Sequence, residues 1–183
     1  MKKIIFISLI FTTFLIHAFS QSNDAEKINK EYYGLKWGCS INELKKQYPD
    51  AYAQGRNDDD DELYYLDSKG NTRVFFFGNG KLYRGRMAYT DCSQEKLVAL
   101  MQKLVDTYGK FDDTYEGSSN GNKYVTFTKD YSDTIKISLQ ILSIINSYGN
   151  TTSELVFIDF ENQNLKREIA KERIQQMQDD LEL

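Results

Sequence analysis

The chain has 183 residues, a formal net charge of −4, two cysteines and a single histidine, His17. An acidic chain without a basic stripe is poorly suited to nucleic acid or to an anionic membrane surface. Because His17 lies in the N-terminal apolar stretch, everything after it lacks the residue needed for Ser-His-Asp or Cys-His catalysis and for histidine-based zinc or copper sites.

Residues 1–20 read as a secretory leader. Lys2 and Lys3 form a positive start, Ile4–Phe19 is mostly apolar, and Ala18-Phe19-Ser20 places small residues for cleavage before Gln21. The apolar run is short for a membrane span, and no cysteine follows it to carry a bacterial lipid anchor. Loss of Lys2 and Lys3 with the leader leaves 21 basic and 27 acidic residues, net −6, on 163 residues. That length suits one domain (21–160) followed by a charged helical tail (161–183).

Gln21–Glu31 is polar and reads as a loose lead, and 32–38 as a short extended segment. Ser40-Ile41-Asn42-Glu43 matches a capping box opening a helix whose stripe is Ile41, Leu44 and Tyr48, stopped at Pro49. Asp50–Glu62 reads as a loop. Its run Asp58–Asp61 is either a solvated acidic loop or, less in keeping with a run that contains no glycine, a calcium site.

Leu63–Leu66 reads as a strand. Thr72–Tyr89 follows as a hairpin turning at Gly78-Asn79-Gly80. Strict alternation over Leu82–Tyr89 puts Leu82, Arg84, Arg86 and Ala88 on one face and Tyr83, Gly85, Met87 and Tyr89 on the other, with both arginines expected to point away from the helices.

Ser93–Tyr108 carries the strongest helical stripe, Leu97, Leu100, Met101, Leu104, Val105 and Tyr108, and Gly109 is placed to end it. Asp112–Asn122 reads as a polar loop. Strands are predicted over Tyr124–Thr128, Ile135–Ile141 and Leu155–Phe160, joined by turns at Asp130–Asp133 and Ser147–Ser153. Glu161–Leu183 carries a sparse stripe, Leu165, Ile169, Ile174, Met177 and Leu181, expected of an exposed helix that adds little to stability beyond about residue 170.

The elements suggest a duplication. Cys39-Ser40 and Cys92-Ser93 both precede a helix, each helix ends near a tyrosine, and each is followed by three predicted strands. The expected fold is therefore α+β: two tandem α-β-β-β units (32–91 and 92–160) sharing one antiparallel sheet with both helices on one face, plus the C-terminal helix. Side-by-side units could bring Cys39 and Cys92 together as a disulfide in an oxidising compartment; otherwise each is a thiol at a helix start, where the dipole favours the thiolate.

The segments Trp37-Gly38-Cys39-Ser40-Ile41-Asn42-Glu43-Leu44, Phe77-Gly78-Asn79-Gly80-Lys81-Leu82 and Tyr108-Gly109-Lys110 together resemble exported bacterial proteins with a G-x-x-W-G-x-S-x-x-E pattern. The architecture resembles BamE-type envelope lipoproteins and secreted β-lactamase-inhibitor proteins. The leader, the missing histidine and the aromatic-rich sheet-and-helix scaffold point to an exported, periplasmic or extracellular, non-enzymatic module that binds a protein or envelope component, with no cofactor and no metal expected. A secreted enzyme inhibitor is the alternative, and a hydrolase using acids such as Asp112-Asp113 is a third reading. Interface chemistry favours Trp, Tyr and Arg, which singles out Trp37, Tyr83, Arg84 and Arg86 as a candidate partner surface. The competing reading leaves both arginines solvent-facing or paired with acids across the sheet.

Overall fold

The computed structural model describes residues 23–57, 60–67, 70–90, 92–146, 148 and 150–181. It is a mixed α+β fold built on one antiparallel sheet of eight strands. In chain order the elements are α1 (Asn23–Lys27), β1 (Glu31–Tyr32), β2 (Leu35–Lys36), α2 (Ile41–Gln47), β3 (Tyr52–Asn57), β4 (Asp60–Leu66), β5 (Thr72–Gly78), β6 (Lys81–Thr90), α3 (Gln94–Tyr108), β7 (Asp113–Ser119), β8 (Asn122–Asp130), β9 (Ile135–Ile145), β10 (Thr151–Asn162) and α4 (Gln163–Leu181).

The sheet order β3-β4-β5-β6-β10-β9-β8-β7 is two consecutive four-stranded meanders joined where β6 pairs with β10. Helix α2 leads into the first meander and α3 into the second. Each helix is thus followed by four strands rather than the expected three. The missed strands are β3, inside the expected loop 50–62, and β7, inside the expected loop 112–122. Both are edge strands. An edge strand is specified by main-chain pairing on one side and has no need of an apolar face, so DTYEGSS can be β while reading as loop. Of the acidic run, Asp60 and Asp61 open β4, and Asp58-Asp59 lie outside the described residues. The remaining strands are longer than their apolar cores indicate. The lead is not loose either: Ala25 and Ile28 are buried around α1, and the Ile28 carbonyl accepts the Trp37 indole N–H at 2.7 Å.

One face of the sheet carries the main core. Phe75, Phe77, Leu82, Ile135, Ile137, Leu139, Val156, Ile158 and Phe160 meet Leu44 of α2 and Leu97, Met101 and Leu104 of α3. Both helices start as their sequences direct. Ser40 and Glu43 form the complete capping box, and the Ser93 hydroxyl accepts the Lys96 N–H. Asn79 and Gly80 turn the β5–β6 hairpin with φ of 48° and 72°.

The opposite face is organised by α4, packed through Leu165 and Ile169 onto Val74, Phe76 and Tyr83. The charged tail is thus a docked helix for its first half. Lys81 bridges Glu168 and Glu172, each at 2.7 Å, and Asn79 donates to Glu172. Farther along, Ile174, Met177 and Leu181 are exposed.

The alternation expected over Leu82–Tyr89 breaks at a β-bulge. Phe76 pairs with Arg84 but Phe77 pairs with Leu82, leaving Tyr83 as an extra residue on β6. Leu82, Gly85, Met87 and Tyr89 therefore face the helices α2 and α3, while Tyr83, Arg84 and Arg86 face the α4 side. Gly85 is the point of closest approach, because a Cβ there would lie 2.2 Å from the Tyr32 ring.

Three outcomes follow from this packing. Leu104→Ala should cost about 2–5 kcal/mol in chemical denaturation, whereas Val98→Ala, at a 44% exposed position of the same helix, should change stability by no more than about 0.5 kcal/mol. Deleting residues 175–183 should leave the thermal midpoint in place, while Ile169→Ala should lower it. Glu172 is held below the usual carboxylate range by hydrogen bonds from Lys81 and Asn79, and Lys81 is held above its ordinary value by Glu168 and Glu172. The lowered acid contributes to α4 docking above a pH of about 4.3, fading as pH falls through the folded value. The raised lysine contributes below a pH of about 10.4, fading as pH rises through its folded value. Protection factors of amides in the first turns of α4, taken relative to the intrinsic exchange rate at each pH, should be highest between those limits and fall on acidification.

Candidate functional site

The α4 side of the sheet is apolar under α4 and again farther along the strands, where Phe157, Leu155, Leu142 and Tyr124 face the same way, with polar rows between. In those rows, β10, β9 and β8 present the polar halves of their alternation. Across the strands, Arg86 pairs with Asp159, which pairs with Ser138, which pairs with Thr128; Arg84 pairs with Glu161, which pairs with Lys136. Gln140 and Thr126 form the next row and hydrogen-bond at 3.3 Å. Where this polar array meets the start of α4 it forms a cleft of about 280 Å³ walled by Arg84, Thr126, Thr128, Lys136, Ser138, Asp159 and Glu161, with Gln163 and Lys166 from the helix.

The charges in the cleft are unequally satisfied. Arg86 is a bidentate partner of Asp159, with Nε to Oδ1 at 2.7 Å and Nη2 to Oδ2 at 2.9 Å. Burial works against the Arg86 cation, but the Asp159 hydrogen bonds and charge outweigh it and leave its pKa raised. Glu161 accepts from Lys166 at 2.9 Å and from Gln163 at 2.7 Å. Arg84 lies with its Cζ 3.6 Å from the Phe76 ring centroid, and its Nε is buried with no hydrogen-bond partner.

Of the four residues singled out by interface chemistry, the structure brings Tyr83, Arg84 and Arg86 to one face and leaves Trp37 on the other. Trp37 stacks on Tyr32 at 6.0 Å within the main core. Tyr83 is buried beneath α4. The four do not form one surface, because the bulge rotates Tyr83 into the α4 contact and the indole is drawn inward by its bond to Ile28. Asp159, Glu161, Lys136 and Thr128 were missed as site residues. The polar half of the Ile135–Ile141 alternation signalled Lys136 alone; Asp159 and Glu161 on β10 and Thr128 on β8 become its neighbours only through strand pairing.

Cys39 and Cys92 are free thiols, both buried. The Leu82 N–H donates to the Cys39 carbonyl at one end of β6, and Cys92 stands two residues beyond Thr90 at the other. About 26 Å of extended strand separates the two ends, far beyond disulfide reach. Nor are the thiols activated. Burial, and then the Glu43 charge, pushes Cys39 up to about 11, and burial also raises Cys92, outweighing any helix-dipole assistance. Among the described residues, no group of three or more His, Cys, Asp or Glu side chains could hold a metal ion, and no helix is long and apolar enough to cross a membrane.

No family model and no curated protein matches the chain. Among solved structures, a "putative beta-lactamase inhibitor protein" from Streptococcus mutans aligns over 73% of this chain and 98% of its own, at 15% identity and a TM-score of 0.27. At that score the two chains are not shown to share a fold.

The Arg86–Asp159 pair should behave as a partly buried, hydrogen-bonded ion pair. Arg86→Ala should destabilise the protein by roughly 2–3 kcal/mol in urea unfolding, because it strands a nearly buried carboxylate. Adding Asp159→Asn should recover part of that loss. An Arg86→Ala effect below ~0.5 kcal/mol would show that water already satisfies Asp159.

Proposed function

We propose that the protein is an exported binding module and not an enzyme, and that its working surface is the polar face of β8, β9 and β10 beside α4. The observation that supports this most directly is the asymmetry of the sheet. One face is covered by α2 and α3, whereas the other carries, beside α4, rows of hydroxyl, amide and charged side chains fixed in register by main-chain pairing and bordered by Phe157, Leu142 and Tyr124. A rigid array of that kind can meet a partner without the entropy loss of ordering a loop.

The chemistry of the acids fits the same reading. Asp112 accepts from Lys129 Nζ and from the Asp130 N–H, and these bonds hold it below the usual carboxylate range. It is thus kept ionised, the opposite of what a general acid requires. Neighbouring Asp113 opens the exposed edge strand β7. Of the arginine and aromatic residues that dominate interface energy in general, Arg86 and Tyr83 are used within the fold, whereas Phe157 and Tyr124 border the polar rows on this face.

Photo-crosslinking in cells tests the proposal. A photoreactive residue at Gln140 or Thr126 should yield a discrete product, and one at Val98 on α3 should not. Equal yields from both positions, or none, would overturn the assignment of this face. An envelope component in the product supports an assembly role, and a single secreted enzyme supports an inhibitor. The exported form should begin at Gln21, read by intact mass.

A further inference from the structure

The cleft at the start of α4 holds a cation, the Arg84 side chain, that no described residue pairs with. Among the described residues the Arg84 side chain forms no ion pair and no hydrogen bond. Its guanidinium rests on the Phe76 ring at 3.6 Å, and its Nε is out of contact with solvent. The two acids of the same cleft are committed elsewhere. Asp159 is held bidentately by Arg86, and Glu161 by Lys166 and Gln163. An unsatisfied donor on a cationic group is costly to bury, and here it is supported by ring contact and strand register. Arg84 also lines the open cleft, so an acceptor entering there would meet a guanidinium whose stem and Nε are already fixed.

The surroundings narrow the ligand. A planar carboxylate matches the guanidinium fork in two parallel hydrogen bonds. A phosphate dianion would bring more negative charge against Asp159 and Glu161, which line the same cleft. Small-molecule sites are mostly apolar and enclosing. This cleft is small, open, and walled by hydroxyls and charges, and it leads onto the polar rows of β8 and β9. Its size suits one side chain anchored by a larger body.

We infer that Arg84 is the receptor for a glutamate or aspartate carboxylate presented by a polypeptide partner lying on the sheet face. The inference rests on the reading of that face as the binding surface. Thr126, Thr128 and Ser138 would then serve the partner's main chain.

The test follows the Arg84 Nε–H resonance of the ¹⁵N-labelled protein while titrating a short alternating Gly-Glu peptide, its Gly-Gln counterpart, acetate and inorganic phosphate. The Gly-Glu peptide should shift the resonance saturably, the Gly-Gln peptide should not, and acetate and phosphate should bind more weakly. Arg84→Met, which keeps the cover on Phe76, should weaken peptide binding at least about tenfold, with a thermal midpoint at or above that of the parent. Equal binding by Arg84→Met or by the Gly-Gln peptide overturns the inference, and tighter binding of phosphate overturns the choice of carboxylate. Acetate binding as tightly as the peptide overturns the polypeptide source. If Arg84→Met keeps an undiminished crosslink from Gln140, the carboxylate receptor falls while the sheet-face reading stands. If the parent gives no Gln140 crosslink, the sheet-face reading falls, and the peptide titration still decides the role of Arg84.

Discussion

The contact between Tyr32 and Gly85 constrains most of this molecule. The tyrosine is completely inaccessible and sits against the middle of β6, where any side chain larger than hydrogen would run into its ring. Phe75, Phe160, Trp37 and Tyr33 surround it at centroid distances of 4.9–6.0 Å. Side chains alternate along a strand, so fixing Gly85 on the helix-covered face fixes Arg84 and Arg86 on the other. Packing the interior therefore aims the arginines outward. The Tyr32 hydroxyl is buried without a partner, so the ring holds its place by shape and apolar contact rather than by its hydrogen bond.

The bulge at Tyr83 is the second device. Without the extra residue, Tyr83 would share a face with Gly85, and the patch of Val74 and Phe76 would lose its third member. With it, the α4 side gains an apolar footing large enough to dock a helix through Leu165 and Ile169. The start of α4 then supplies Gln163 and Lys166 to the cleft and occupies Glu161. Helix docking and the distribution of charge in the cleft are thus one arrangement. The same start leaves room beside β6, and there Gly38 and Cys39 pair with Leu82 on the side that β10 has left.

The two arginines of this sheet face are held in different ways. Arg86 is matched to Asp159 and secures the β6–β10 seam that joins the two meanders. Arg84, two residues away, has an aromatic support and no acceptor. Local conflicts of this kind, set in an otherwise consistent structure, concentrate where a protein meets something else. They are tolerable here because the surrounding core is large and regular.

The sequence by itself determined the elements whose stabilisation is local or patterned. The capping box at Ser40–Glu43, the α3 stripe, the Asn79-Gly80 turn and the Ile135–Ile141 alternation all carry their own signals, and together they imply the α+β class. It also determined which chemistries the chain lacks after His17. Only the tertiary structure decided the edge strands, the side of the sheet taken by α4 and the pairing of charges. Tyr52–Asn57 and Asp113–Ser119 are strands because a neighbour's main chain is there to pair with, and main-chain hydrogen bonding is blind to side chains. The bulge at Tyr83 depends on register across β5, which no local period records. Arg84 and Arg86 are equivalent in sequence, and what separates them is that β10 sets Asp159 within reach of one while α4 draws Glu161 away from the other.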